Sequence, residues 1–357
     1  MIASNSSIAR RPRRVRADGR FDATAIWYHT CFERSRVSST TDVAVQPTFA
    51  DDVGRDLARE PKELQSKYFY DALGSQLFEA ICRLPWYRIT EAESSLLRRC
   101  ADDVIAALPP TATITELGPG SGEKLVVLAE ALQRAGRSAR VHLVDVSAAA
   151  LEQSERSLGP LDQVSVIGHE STYEVGLARV STDRASGEAM LTLFLGSSIG
   201  NFGQTAARDF LMVARRVMRP GDLMLLGTDL VKPEPVLRDA YDDPLGVTAA
   251  FNKNLLVRIN RVLDGHFDLA HFEHLVVWNA GQERIELYLR STRAQTVRIG
   301  AIDREIVLAE GETICTEHSH KYRAERIAAM GEAARFVQRH QWIESEAQFA
   351  LTLFEAT

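Results

Sequence analysis

The stretch TATITELGPGSGEKLVVLAEALQ, residues 111–133, limits the fold more than any other. Thr111 to Leu117 alternate in polarity and are rich in β-branched residues, which predicts a strand. Gly118, Gly120 and Gly122 follow at once. From about Glu123, Leu125, Val126, Leu128, Ala129 and Leu132 recur at helical spacing. Strand, glycine loop and helix make the first unit of a nucleotide-binding α/β sheet. Glycines let the backbone approach a ligand, and the helix start offers free N–H groups to an anion. Lys124 sits in the first helical turn, where a cation opposes the helix dipole, and a ligand there relieves that misfit. A second predicted strand, ARVHLVDVS (139–147), ends in Asp145. An acid at that tip binds ribose hydroxyls or caps the next helix, and Ser147 can do the capping itself.

The glycine spacing is GxGxG, not the GxGxxG of dinucleotide enzymes, which favours a nucleoside cofactor without pyrophosphate, such as S-adenosyl-L-methionine. AMLTLFLGSSIGNF (189–202) reads as a buried strand entering a glycine-rich loop, followed by a helix over 205–218 and an apolar strand after a Pro-Gly turn. RFVQRHQWI (335–343) and QFALTLFEAT (348–357) read as a terminal hairpin that makes one sheet edge antiparallel. This pattern resembles a class I methyltransferase: α/β, Rossmann-like, with a seven-stranded sheet.

Between the fifth strand and the terminal elements lie residues this fold does not need. GVTAAFNKNLLVRINRVL (246–263) reads as a helix, and the segments over 271–322 alternate as an antiparallel meander. They predict an inserted α+β domain, with a cleft against the sheet for a second substrate. The last segment, ICTEHSHKY (314–322), is dense in chemistry. Simple alternation puts Cys315, Glu317, Ser319 and Lys321 on one face and Thr316, His318 and His320 on the other. No third ligand accompanies the two histidines, so no metal site is expected. The net charge of −6 argues against a general nucleic-acid binder. Four scattered cysteines without CxxC fit a reducing, cytoplasmic setting. No apolar run approaches the ~20 residues that span a bilayer. Residues 1–45 carry the basic cluster ARRPRRVR (9–16) and are expected to be a disordered extension.

The segments YFYDALGSQLFEAICRLPWY, ELGPGSGEK, LFLGSSIGN, LLGTDLVK, AYDDPLGVTAAFN and TEHSHKY occur in this order. Together they resemble the S-adenosylmethionine-dependent histidine Nα-methyltransferases of ergothioneine biosynthesis, from about residue 45 to the end. The resemblance implies three successive methylations of the α-amine of L-histidine, giving hercynine. It implies cofactor contacts at Gly118, Lys124 and Asp145. It places Asn201 and Tyr241 at the substrate carboxylate and amine, Tyr87 near the imidazole with Tyr70 in the matching aromatic segment, and Glu317 with Ser319 as the pair that reads the ring. His169, in VIGHES, stands where the family usually has an acid that bonds the adenine amine, and a neutral ring nitrogen can also accept such a bond. No general base is assigned.

The expected division is an extension (1–45), a helical part of the substrate domain (46–92), the methyltransferase core (93–231), the inserted domain (232–321) and the rest of the core (322–357). A monomer suffices. Read from residue types alone, the three tyrosines also suit cleft-wall packing, Asn201 a loop or cap, and Glu317 with Ser319 a solvated face. Competing functions are methylation of another amine, such as tryptophan or an indole alkaloid precursor, and a partner subunit that kept the fold without turnover. A carboxylate facing the side-chain pocket favours an imidazole.

Overall fold

The computed structural model describes residues 48–357. The extension expected over 1–45, with its basic cluster, lies outside the described residues.

Thr48 caps the first helix, α1 (Phe49–Asp56), in a reciprocal capping box with Asp51. A two-residue strand, β1 (Lys62–Glu63), follows, then a 3-10 turn over Ser66–Phe69. Next come α2 (Ala72–Ile81), capped by Asp71, and α3 (Ile89–Ala106). Helix α3 buries Ala92, Leu96, Leu97, Cys100, Ala101 and Val104 and runs unbroken across the expected division at 92/93.

The βα units then follow at the predicted places. They are β2 (Ala112–Leu117), α4 (Glu123–Arg134), β3 (Ala139–Asp145), α5 (Ala148–Leu158), β4 (Val164–Glu170), α6 (Tyr173–Asp183), β5 (Ala189–Phe194), α7 (Gln204–Val217) and β6 (Leu223–Asp229). Past β6, the fifth of these strands, lie α8 (Glu234–Tyr241), α9 (Val247–Leu263), β7 (Phe272–Asn279), β8 (Arg284–Ser291), β9 (Gln295–Ile299), β10 (Arg304–Leu308) and β11 (Thr313–His320). The chain closes with α10 (Ala324–Ala333), β12 (Phe336–Glu344) and β13 (Phe349–Ala356).

The large sheet has seven strands in the order β12-β13-β6-β5-β2-β3-β4. All neighbours from β6 to β4 are parallel, and β13 enters antiparallel between β6 and β12. This is the class I methyltransferase sheet that the glycine spacing and the terminal hairpin predict. The strand order reverses between β2 and β5, and open α/β sheets bind ligands beyond the strand ends at such a switch.

The meander expected over 271–322 is corrected in one respect. Strands β9 and β10 form a separate hairpin, and β11 returns past them to pair with β8, giving a sheet ordered β1-β11-β8-β7. The strand period shows in the sequence, but which strands pair depends on tertiary closure. Helix α9 packs across β7 and β8 with Phe251, Leu255, Leu256 and Ile259 buried. One hydrophobic cluster runs without a break from Leu191 and Leu225 in the large sheet to Ile285, Leu287 and Leu289 in the small one.

The two sheets are also stitched by backbone. Tyr322 N–H donates to the Asp229 carbonyl and Val231 N–H to the Tyr322 carbonyl, both at 2.9 Å. The Tyr322 hydroxyl donates to the Ile199 carbonyl at 3.1 Å. Gly200 lies so near the end of β11 that an added Cβ would stand 2.8 Å from the His320 carbonyl oxygen.

Candidate functional site

A cavity of about 820 Å³ opens where the two sheets meet, at the C-terminal ends of β2, β3 and β5. Gly118 and Gly120 line it from the loop after β2, with φ of 72° and 58°. A side chain at Gly118 would be strained by that φ and would crowd the Tyr173 hydroxyl, 3.0 Å from an added Cβ. Gly122 serves a different end. Its φ is 77° and its Cα faces α5, where a Cβ would stand 2.9 Å from the Ser154 Cα. It is expected among the cofactor contacts but does not line the cavity; what it does here is let α4 and α5 approach each other.

Asp145 stands at the tip of β3, and one of its oxygens accepts from the Ser147 N–H at 2.8 Å. Ser147 caps α5 itself, accepting from the Ala150 N–H. The capping alternative for Asp145 is therefore not needed, and its carboxylate lines the cavity. Burial pushes its pKa up to about 6.

Lys124 also lines the cavity and pairs with Glu93 of α3, Nζ to Oε2 being 2.5 Å. Glu93 is fully buried, and its two oxygens accept from the Gly196 N–H at 2.8 and 2.9 Å. Gly227 leaves the room for that carboxylate, since a Cβ there would overlap Glu93 Oε1. A second buried acid, Glu116 at the end of β2, has an oxygen with no hydrogen-bond partner. Burial drives its pKa up to about 8, Lys124 pulls it down, and Glu93 and Asp145 add to the rise. Burial weakens the Lys124 ammonium, but Glu93 outweighs it and raises the pKa above the ordinary lysine value.

His169, expected at the adenine, is not among the residues that line the cavity. On β4 it pairs across from Val144, and its ring nitrogen lies 2.9 Å from His142 Nδ1, with the rings stacked. The pleat sends both imidazoles to one face of the sheet, toward Arg179 and Asp183 of α6. Thr172, Tyr173 and Glu174, one turn further on, line the cavity instead.

Aromatic rings form the other wall. Tyr70 meets Phe78 and Phe251 edge-on at 5.5 and 5.7 Å, Phe78 meets Tyr87 at 6.2 Å, and Tyr87 meets Tyr241 at 6.3 Å. Burial raises the pKa of all three tyrosines, so they stay neutral phenols. Asn201 lines the cavity from the loop after β5.

Strand β11 departs from simple alternation. Its register against β8 shifts between Cys315 and Glu317, with Cys315 opposite Tyr288 and Glu317 opposite Leu287. Thr316 is the extra residue of a β-bulge, and such a residue flips the pattern beyond it. Cys315 therefore shares a side with His318, its Sγ 3.3 Å from Nε2, and not with Glu317 and Ser319 as alternation predicts. The bulge has no signature in the residues themselves.

Glu317 and Ser319 line the cavity beside Leu287. Burial lifts the Glu317 carboxyl to about 7, against the pull of Lys321. The Tyr241 and Ser319 hydroxyls lie 2.8 Å apart. The buried Lys321 ammonium donates to both, at 2.7 and 2.9 Å, and pairs with Asp229 at 2.9 Å. Among the described residues no group of three or more His, Cys, Asp or Glu is placed to hold a metal ion.

Ten of the twelve expected residues thus surround one cavity, and Gly122 and His169 stand outside it. Sequence reasoning missed Glu93, Tyr173 and the role of Lys321. Nothing in the sequence separates Glu93 from Glu91 two residues before it, and only the fold makes one buried and the other exposed.

A family described as "Histidine-specific methyltransferase, SAM-dependent" matches residues 49–356. Histidine N-alpha-methyltransferase of Mycolicibacterium smegmatis is 40% identical over 305 residues, 85% of this chain and 93% of that protein. The protein of the same description from Mycobacterium tuberculosis is 40% identical over 306 residues, again 85% and 93%. Ergothioneine biosynthesis protein 1 of Neurospora crassa is 32% identical over 203 residues, 57% of this chain and 23% of that longer protein. With its seven-stranded sheet, its glycine loop and a match over almost all described residues, the chain belongs to the histidine-specific, S-adenosylmethionine-dependent methyltransferase family.

Proposed function

We propose that this protein transfers methyl groups from S-adenosyl-L-methionine to the α-amine of L-histidine, ending at the trimethylated product hercynine, for ergothioneine biosynthesis. The observation that carries this reading is the single cavity that joins the glycine loop and Asp145 to an aromatic pocket containing a partner-poor carboxylate, Glu317. The residues at the sheet end fit the cofactor. Gly118 and Gly120 expose backbone, Asp145 offers a buried acceptor to ribose hydroxyls, and Lys124 offers a fixed cation to a carboxylate.

The bound cofactor supplies a methyl group on a positively charged sulfur, which is primed for in-line displacement. What remains for the protein is to position the amine and exclude water. Glu317 and Ser319 take the imidazole, and Tyr87 and Tyr70 wall its ring. Asn201 and Tyr241 hold the carboxylate and amine region with an amide and a neutral phenol. Such groups bond the amine without clamping it as a salt bridge would, so it can turn between successive transfers. The nucleophile must be the neutral amine, and its proton leaves by way of solvent.

We assign residues 46–92 and 232–321 to framing the substrate, and residues 93–231, apart from Asn201, with 322–357 to holding the cofactor. The cytoplasm, a monomeric state and the absence of a nucleic-acid partner belong to the same reading. Free thiols at Cys82, Cys100 and Cys315 and the net charge of −6 support it. Among the described residues no helix is long and apolar enough to cross a membrane. The test is incubation with the cofactor and a panel of standard amino acids, read by mass spectrometry. A product carrying three added methyl groups from histidine alone is expected. Methylation of tryptophan but not histidine would sink the reading.

A further inference from the structure

Resting on the reading of histidine as substrate, we propose that Lys321 is a positioning residue that makes the Ser319 hydroxyl a donor, so that the pocket selects the neutral imidazole ring over the imidazolium. The argument is a count of protons. Lys321 is fully buried and has three N–H bonds to give, and three acceptors surround it: Asp229, Tyr241 and Ser319. None of these bonds is left for the cavity, so the cation acts only through its neighbours.

The two hydroxyls bond each other at 2.8 Å, so one of their two protons is spent between them. A phenol is the stronger acid and an alkyl hydroxyl the better acceptor, which sends the Tyr241 proton to Ser319. The serine oxygen then accepts from Lys321 and from Tyr241 and has no lone pair left. Its own O–H is free to reach the cavity. Glu317, two residues back on the same face of β11, presents a carboxylate that no described group hydrogen-bonds.

The pocket thus offers one acceptor and one donor. A neutral imidazole has one N–H and one bare ring nitrogen and matches it in a single tautomer. An imidazolium has two N–H groups, and one would face the serine proton. A buried polar mismatch of this kind discriminates strongly. The charged and titratable groups facing this spot are Glu317 and Lys321 beside β11, Asp229 of β6 with its second partner Lys232, and the phenols of Tyr70, Tyr87 and Tyr241.

The test compares kcat/KM for histidine with that for 1,2,4-triazol-3-ylalanine, whose ring stays neutral across the assayed range. The α-amine and the protein's own groups titrate alike for both substrates, so the ratio isolates the ring. The ratio is expected to fall roughly tenfold per pH unit below the imidazole pKa of about 6.5. A ratio that stays flat, or rises as pH falls, would overturn the proposal, because the ring would then bind as a cation on Glu317. Absence of any product from histidine would instead overturn the parent reading, so the two failures differ.

Lys321→Met tests the lysine itself. Asp229 also pairs with Lys232, at 2.6 Å, so the substitution does not leave the buried acid bare. The expected result is a KM for histidine raised about tenfold or more, the loss of a charge-assisted contact, with kcat and cofactor affinity within ~3-fold. The pH dependence of the ratio should also weaken. Equal loss in cofactor affinity would mark a merely structural lysine. Ser319→Ala, which removes only a hydroxyl, should raise KM for histidine in the same way, and an unchanged KM would refute the donor role even if the lysine variant does not fold.

Discussion

Replacing Glu116 by glutamine removes a carboxyl that the fold holds protonated. Glu116 is 1% exposed, one of its oxygens has no partner, and its pKa is pushed from 4.5 to about 8, first by burial. In the unfolded chain the same group ionises near the ordinary value. Between these two values the folded state binds more protons than the unfolded one, so stability falls as pH rises through that window. At about 1.4 kcal/mol per unit, the penalty accumulated between about pH 5 and pH 9 is ~4 kcal/mol, given the depth of burial. Glutamine has no such term, although its buried amide costs ~1–3 kcal/mol if it finds no partner, and that cost does not depend on pH.

The assay is urea unfolding of wild type and Glu116→Gln at both pH values. Titrating groups that do not interact with Glu116 cancel in the comparison. The variant should gain several kcal/mol relative to wild type between the acidic and the alkaline measurement. A difference that is the same at both pH values to within ~1 kcal/mol would refute the reasoning and mean that Lys124 keeps Glu116 ionised in the folded protein.

Three further outcomes are expected. Glu317→Ala should raise KM for histidine about tenfold or more while cofactor affinity, read by calorimetry, shifts less than ~3-fold; parallel loss of cofactor affinity would contradict its role. Asp145→Asn should do the converse, weakening cofactor binding about tenfold with a smaller effect on KM for histidine. Gly331→Ala is a packing control: a Cβ there would overlap the Phe354 ring, so the unfolding free energy should drop by ~1–3 kcal/mol with ligand affinities unchanged.

The strands and helices of the large sheet were legible because βα units announce themselves by local means: β-branched runs, glycine turns and a helical stripe. Asp145 and the glycine loop were legible for the same reason, being fixed by position within such a unit. What escaped was set by contacts distant in sequence. The separate β9–β10 hairpin and the return of β11 to β8 are pairings, and strand periodicity says nothing about partners. The contact of His169 with His142 was not legible either, because it depends on the pairing of β4 with β3 and on the pleat. Glu93 escaped because its importance lies in Gly196, Gly227 and Lys124, all more than a helix away in the chain.

The seam at Tyr322 and Gly200 has a consequence for how such a pocket diversifies. Strand β11, which carries Glu317 and Ser319, and the loop that carries Asn201 are joined through the same few peptide groups. Relative rocking of the two sheets would break those bonds, so the separation of Glu317 and Ser319 from Asn201 is fixed in the backbone. A lineage shifting to a bulkier amine must therefore trade side chains, not slide elements. The position opposite Glu317 on the neighbouring strand, Leu287, is the cheapest place to do so.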